Sequence, residues 1–241
     1  LERETMLLSE DRKALLNSID VDTWKEQEEI LDHPARIKLV AGGERAGKSF
    51  LGALSIISKL DEFQPNDVVW LVARDYETKS ANDYRSLAME APRMVVTCEA
   101  SQIDHDSFLR LRGRIAEKRG YLFLEGTFEM SLGWYPSQWE TWRFYNSTDD
   151  AISFSLPSWT NRVVYPEGKE DPEILSLQRL HSENWFNERI AGKPAPPKGL
   201  VHDTFEVARH VSDEVVYVPN EPVHLWIDPG YSQVTKSAYA V

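Results

Sequence analysis

Eight consecutive residues, Gly42-Gly43-Glu44-Arg45-Ala46-Gly47-Lys48-Ser49, satisfy the spacing G-x-x-x-x-G-K-[ST]. The chemistry this spacing serves is the gripping of a polyphosphate. Glycines let backbone N–H groups approach the anion closely, and the helix that follows aims its positive end at the charge. Lys48 would reach the β- and γ-phosphates of a nucleotide, and the Ser49 hydroxyl would ligate Mg²⁺. A glycine-rich turn joining a strand to a helix is the plain structural alternative.

Hydrolysis needs a carboxylate to polarise the attacking water, and Met94-Val95-Val96-Thr97-Cys98-Glu99-Ala100 supplies one at the end of an apolar run. Open α/β sheets place their chemistry at the carboxyl ends of strands. Glu99 is therefore the candidate general base, its alternative being a cap on the next helix. The aspartate that commonly precedes such a glutamate is replaced by Cys98, a poor partner for a hard cation. A third run, Tyr121 to Leu124, ends in Glu125-Gly126-Thr127, where the Thr127 hydroxyl could sense the γ-phosphate or simply form a turn.

The elements that must carry these residues are strands alternating with helices. Ala35 to Ala41, Val68 to Ala73, Met94 to Cys98, Tyr121 to Leu124 and Ala151 to Leu156 have strand length and β character. The near-continuous apolarity of Val68 to Ala73 predicts a strand covered on both faces. Helical spacing follows at Ser49 to Leu60, with Phe50, Leu51, Leu54 and Ile57 as its apolar face, at Asn82 to Glu90 and at Asp104 to Ala116. The order implies a doubly wound, mainly parallel α/β sheet flanked by helices, and with the phosphate-type loop at 42–49 this is the α/β P-loop NTPase class. Asp171 to Ile190 reads as a small helical subdomain, and Gly192 to Gly199 (GKPAPPKG) as a loop. The last thirty residues return to β character.

The 241 residues include 27 Lys+Arg and 39 Asp+Glu, a net charge of −12 that argues against coating nucleic acid with the whole surface. Any DNA contact must be local. The best local stretch is Ser107 to Gly120, with Arg110, Arg112, Arg114, Lys118 and Arg119 against Glu117 alone, although a solvated helix face explains it as well. One cysteine, Cys98, excludes an internal disulfide, and neither a membrane span nor a signal peptide is expected. Asp104-His105-Asp106 imitates a metal cluster but reads as surface or capping residues. The aromatics Trp134, Tyr135, Trp139, Trp142, Phe144 and Tyr145 are expected to seal the sheet edge against the helical subdomain.

With these residues in place, the chain resembles the large terminase subunit of tailed bacteriophages, the ATP-driven motor and nuclease that packages viral DNA into a procapsid. Trp24-Lys25-Glu26-Gln27 is similar to the family's upstream glutamine motif, which implies that Gln27 contacts the adenine. Ala41 to Ser49 looks like its Walker A loop, whose internal arginine, here Arg45, would act on the subunit's own nucleotide. Val95 to Ala100 is similar to the Walker B strand, and Glu125-Gly126-Thr127 to the motif coupling hydrolysis to DNA movement. Pro157 to Asn161 and Trp185 to Phe205 look like the path through the lid towards the nuclease. Trp226-Ile227-Asp228-Pro229-Gly230 resembles the first strand of the RNase H-like nuclease, in which Asp228 would bind a catalytic metal; a capped turn is the alternative.

The resemblance implies an ATPase domain over 1–210, including a lid of about 157–210, and the first strands of a nuclease domain over 211–241. It implies ATP and Mg²⁺ as cofactors and double-stranded DNA, a portal protein and a small terminase subunit as partners. A homo-oligomeric ring in the infected host's cytoplasm is the implied working form, with an isolated monomer possible. Arg112 and Arg114 are candidates for an arginine donated to a neighbouring subunit. The sequence given stops thirteen residues after Asp228, so ATPase chemistry but no DNA cleavage is expected of it. A helicase-like or repair ATPase and a non-catalytic nucleotide-binding switch are the alternatives.

Overall fold

The computed structural model describes residues 14–74, 91–129, 133–143 and 150–195, together with the backbone of 227–228 and 239–240. The chain divides into two compact units, Leu1–Leu200 and Val201–Val241.

The first unit is organised by a five-stranded parallel sheet: β1 (Ile37–Gly42), β2 (Val69–Val72), β3 (Met94–Thr97), β4 (Tyr121–Gly126) and β5 (Ala151–Leu156). Their spatial order is β2-β3-β4-β1-β5, so β1 lies between β4 and β5. Every residue of β1 and β3 is buried, as strands covered on both faces require. β2 departs from expectation. It is an edge strand of the sheet, and Leu71 is 47% exposed, so its apolar run is covered on one face only among the described residues.

Apolar spacing explains the helices on each face. α1 (Lys25–Asp32) and α2 (Lys48–Ile57) bring Ile30, Leu31, Leu51 and Leu54 against Val40, Val96 and Phe123. On the other face, α3 (His105–Arg114) buries Phe108 and Leu111, with Ile115 just beyond its end, against Val95, Leu122 and Leu124. Asp104 caps α3, accepting from the Ser107 N–H at 2.8 Å and the Ser107 hydroxyl at 2.9 Å. The Asp-His-Asp run is thus a cap, and no metal-holding group of His, Cys, Asp or Glu occurs among the described residues.

α4 (Trp134–Trp142) corrects the expectation for the aromatics. Trp134 stacks on Phe108 with centroids 4.4 Å apart, and Tyr135, Trp139 and Trp142 join the same core. They fill one sheet face instead of sealing the sheet against the helical subdomain, because the α4 ring cluster meets α3. Phe144 and Tyr145 lie outside the described residues, as does the helix expected at 82–90.

After β5 come α5 (Pro172–Leu180) and α6 (Glu183–Arg189), two helices where the spacing predicts one helical stretch. Asp171 and Ser182 cap them, and Ser182 explains the break. They share a small core of Tyr165, Ile174, Phe186 and Ile190 with Trp159 against it. In the second unit, β6 (Ile227–Asp228) pairs antiparallel with β7 (Tyr239–Ala240). No helix among the described residues is long and apolar enough to cross a membrane.

Candidate nucleotide-binding site

The loop 43–47 leaves the carboxyl end of β1 and opens α2. Gly47 stands at the helix N-cap with φ of 84°, a left-handed conformation that favours glycine. The N–H groups of Lys48 and Ser49 fall in the first turn of α2, where helix geometry supplies them no intrahelical partner. Lys48 is buried, its stem packs over Gly42, and its Nζ donates to the Gly43 carbonyl at 3.1 Å. Ala46 is buried, and Glu44, Arg45 and Ser49 are exposed.

Gly43 has no room for a side chain. A Cβ there would lie 2.3 Å from both the Ile190 carbonyl oxygen and Ser158 Oγ. Residues at the end of β5 and from the segment after it make this crowding. Gly43 N–H donates to the Leu156 carbonyl at 2.9 Å and Glu44 N–H to the Arg189 carbonyl at 2.7 Å. Ser158 Oγ donates to the Glu44 carbonyl at 2.6 Å, and Asn161 Nδ2 to the Arg45 carbonyl at 2.7 Å. The Arg189 side chain bridges Glu44 at 3.0 Å and Glu129 at 3.2 Å. Gly43→Ala is expected to destabilise the fold by about 1–3 kcal/mol, the usual cost of overpacking. A lowered urea midpoint measures it, and an unchanged midpoint contradicts the close approach.

A cleft of about 720 Å³ opens over the loop, lined among others by Arg45, Lys48, Ser49, Glu99, Thr127 and Arg189. Two strand tips supply its far wall. Glu99 lies two residues beyond β3 with φ 49° and ψ 51°, a left-handed conformation that is uncommon for a residue with a Cβ. Such strain gathers where a side chain must be aimed. Thr127 follows β4, and Gly126 before it passes close to the Ala100 and Ser101 amides. The structure therefore brings Lys48, Ser49, Arg45, Glu99 and Thr127 to one cleft, although they span 83 positions of sequence from 45 to 127.

The sequence presents Glu125 only as part of a strand-end motif, but the residue is fully buried beside the loop. Its Oε1 accepts from Ser49 Oγ at 3.0 Å, while its Oε2 is buried with no hydrogen-bond partner. Burial pushes its carboxyl above the usual carboxylate range; Lys48 opposes the shift and Glu99 adds to it. Burial likewise pushes the Cys98 thiol up to about 12, helped by the Glu125 and Glu99 charges.

Gln27 is also fully buried, and neither its Oε1 nor its Nε2 has a partner. Its Nε2 would lie 3.7 Å from a Cβ on Gly47, so it stands behind the loop beside Trp24 and outside the cleft lining. Phe50 lines the cleft mouth at 46% exposure and not the core, a correction to the apolar face expected for this helix. Arg112 and Arg114 are not brought to the cleft. Arg112 lies with Arg36 and Ile37 at the amino end of β1, and Arg114 flanks Arg110 on α3. Asp228 falls in β6 of the second unit.

No family model and no curated protein matches the sequence. Solved structures match its fold. The large terminase ATPase domain of Thermus phage P74-26 superposes with a TM-score of 0.60 at 14% identity, covering 75% of this chain and 97% of that one. The fold is that of a large terminase ATPase domain. The large terminase of a second thermophilic bacteriophage, solved in complex with ADP, superposes with a TM-score of 0.56 at 13% identity. There 86% of this chain is covered, and the chain spans 61% of that terminase's length. The terminase fold matches the expected fold class in its parallel sheet and flanking helices.

Sequence reasoning misses Ser158, Asn161 and Arg189, whose signal is weak. Each is a common polar residue, and only the position of 157–161 after a strand hints that it would meet the loop.

Proposed function

We propose that this chain is the ATP-hydrolysing motor of a terminase-type machine that translocates double-stranded viral DNA into a procapsid. The observation that carries the reading is the placement of Glu99 and Ser49 on one cleft, over a phosphate-type loop that opens a helix, in a terminase fold.

Lys48 exchanges its bond to Gly43 for the nucleotide's phosphates, and the first-turn amides of α2 bind the same oxygens. Arg45, beside them in the lining, stabilises charge that develops on the transferred group. Glu99 orients a water and takes its proton. Thr127, at the next strand tip, reports the state of the phosphates to the rest of β4. Gln27 serves the adenine side, and its two unpartnered amide atoms are the observation that supports this role. The donor set also fits Mg²⁺, since Ser49 presents a hydroxyl oxygen next to a buried carboxylate oxygen that lacks a partner. The ion would be held at Ser49 and would neutralise phosphate charge when bound.

The same reading extends to a homo-oligomeric ring working with a portal protein and a small terminase subunit in the cytoplasm of the infected host. Arg112 or Arg114 would then serve a neighbouring subunit's cleft, since neither reaches its own. Residues 1–210 would form the ATPase with its lid over about 157–210, and 211–241 would begin a nuclease domain in which Asp228 is the first metal-binding carboxylate.

Duplex DNA is expected to accelerate ATP hydrolysis at low salt, with the effect fading towards roughly 200 mM salt as counterion release weakens DNA binding. Phosphate release measured with and without DNA tests this. ATP turnover that DNA leaves unchanged at every salt concentration speaks against translocation, and absence of turnover favours a nucleotide-binding switch.

A further inference from the structure

Resting on the nucleotide-site reading above, we propose that Glu125, at the tip of β4, is the carboxylate that works with Ser49 to hold the divalent cation of the bound nucleotide. It takes the place of the acid missing at the end of β3. Three observations converge on it.

The first is the residue at 98. It follows β3 directly, immediately before Glu99, and it is a free thiol and not a carboxylate. A neutral thiol is a poor ligand for a hard cation such as Mg²⁺. The second is register. β4 lies between β3 and β1, with Glu125 directly opposite Val40, so a carboxylate on it approaches the loop from the neighbouring strand. The third is hydrogen bonding. Ser49 Oγ spends its proton on Glu125 Oε1 at 3.0 Å, which leaves the hydroxyl oxygen's lone pairs turned elsewhere. Glu125 Oε2 is buried without any partner. A buried carboxylate oxygen left unmatched costs stability, and a cation or its coordinated water is the group that would complete it. Lys48 lies close enough to oppose the rise in the Glu125 pKa, but its hydrogen bond goes to the Gly43 carbonyl and not to Glu125.

Glu125 is thus a positioning residue that orients the Ser49 hydroxyl and adds negative charge behind it. Outer partners of this kind are worth roughly 10–100-fold in metal affinity. The test measures binding, not turnover: a fluorescent ADP analogue is titrated in EDTA, and Mg²⁺ is then titrated into the saturated complex. Glu125→Gln is expected to bind the analogue in EDTA as wild type does but to need roughly 10–100-fold more Mg²⁺. Adding Cys98→Asp to that variant is expected to recover most of the loss, since the acid returns on the other strand. Glu125→Asp, which keeps the charge but withdraws it by one methylene, carries the test if the glutamine variant fails to fold; it is expected to need several-fold more Mg²⁺.

A glutamine variant, or a folded aspartate variant in its place, with the wild-type Mg²⁺ requirement overturns the assignment and leaves nucleotide binding standing. Wild-type protein that binds no analogue in either condition overturns the nucleotide site itself, and the assignment with it.

Discussion

Glu99→Gln is expected to lower ATP turnover by roughly 10²–10⁴-fold, the range that a positioned general base contributes. The geometry makes the prediction selective. Glu99 lines the cleft with Ser49 and Lys48 but stands on the opposite wall, two residues past β3, and not within the loop that would grip the phosphates. The amide keeps the shape of the side chain and removes its ability to take a proton. Nucleotide affinity should therefore stay within a few-fold of wild type while single-turnover phosphate release collapses. A variant with wild-type turnover means that the proton goes elsewhere, and a variant that loses nucleotide binding means that Glu99 was holding the loop. The left-handed backbone at Glu99 offers a control. Glu99→Gly relieves the φ of 49° and should not restore turnover if, as proposed, the carboxylate takes the proton.

Lys48→Ala should have the opposite signature, a loss of binding. The ammonium is buried at 8% exposure and is held by a single neutral carbonyl, so it is poised to exchange that bond for charged phosphate oxygens. Charge-assisted bonds of this kind are worth about 1.5–3 kcal/mol, or roughly 10–100-fold in affinity. Calorimetric titration with ADP reads it. Because the lysine stem packs over Gly42, truncation also opens space at the loop root, and a small drop in thermal midpoint should accompany the loss. Wild-type ADP affinity in the alanine variant would remove the loop from the nucleotide site altogether.

The parts legible in the sequence are those fixed by neighbours along the chain. Residues 42–49 declare themselves because the strand, glycine turn and helix start follow one another without interruption. The cap at Asp104 is readable for the same reason, its partner Ser107 lying three positions away. What stays hidden depends on distant pairings. The Ser158 bond to Glu44 spans 114 residues and the Ser49 bond to Glu125 spans 76, and no local pattern encodes either. Periodicity also cannot tell which apolar residues meet a core and which meet a mouth. Phe50 obeys the helical spacing yet lines the cleft, because the buried stripe of α2 runs through Lys48, Leu51, Gly52, Leu54 and Ser55 and leaves Phe50 to one side. Leu71 sits in an unbroken apolar run yet is half exposed, because strand order and not composition put β2 at an edge.

The peptide groups of Gly43, Glu44 and Arg45 are each tied by a hydrogen bond to a residue between 156 and 190. A mould clamped in this way has surrendered its freedom during folding, so an arriving anion has little further disorder to quench and affinity is not eroded by freezing a floppy coil. The same anchoring makes the seat stiff. Any displacement of its rim by an ångström is handed on to α5 and α6 instead of dissipating as local wobble, which is the property a lever needs at its fulcrum.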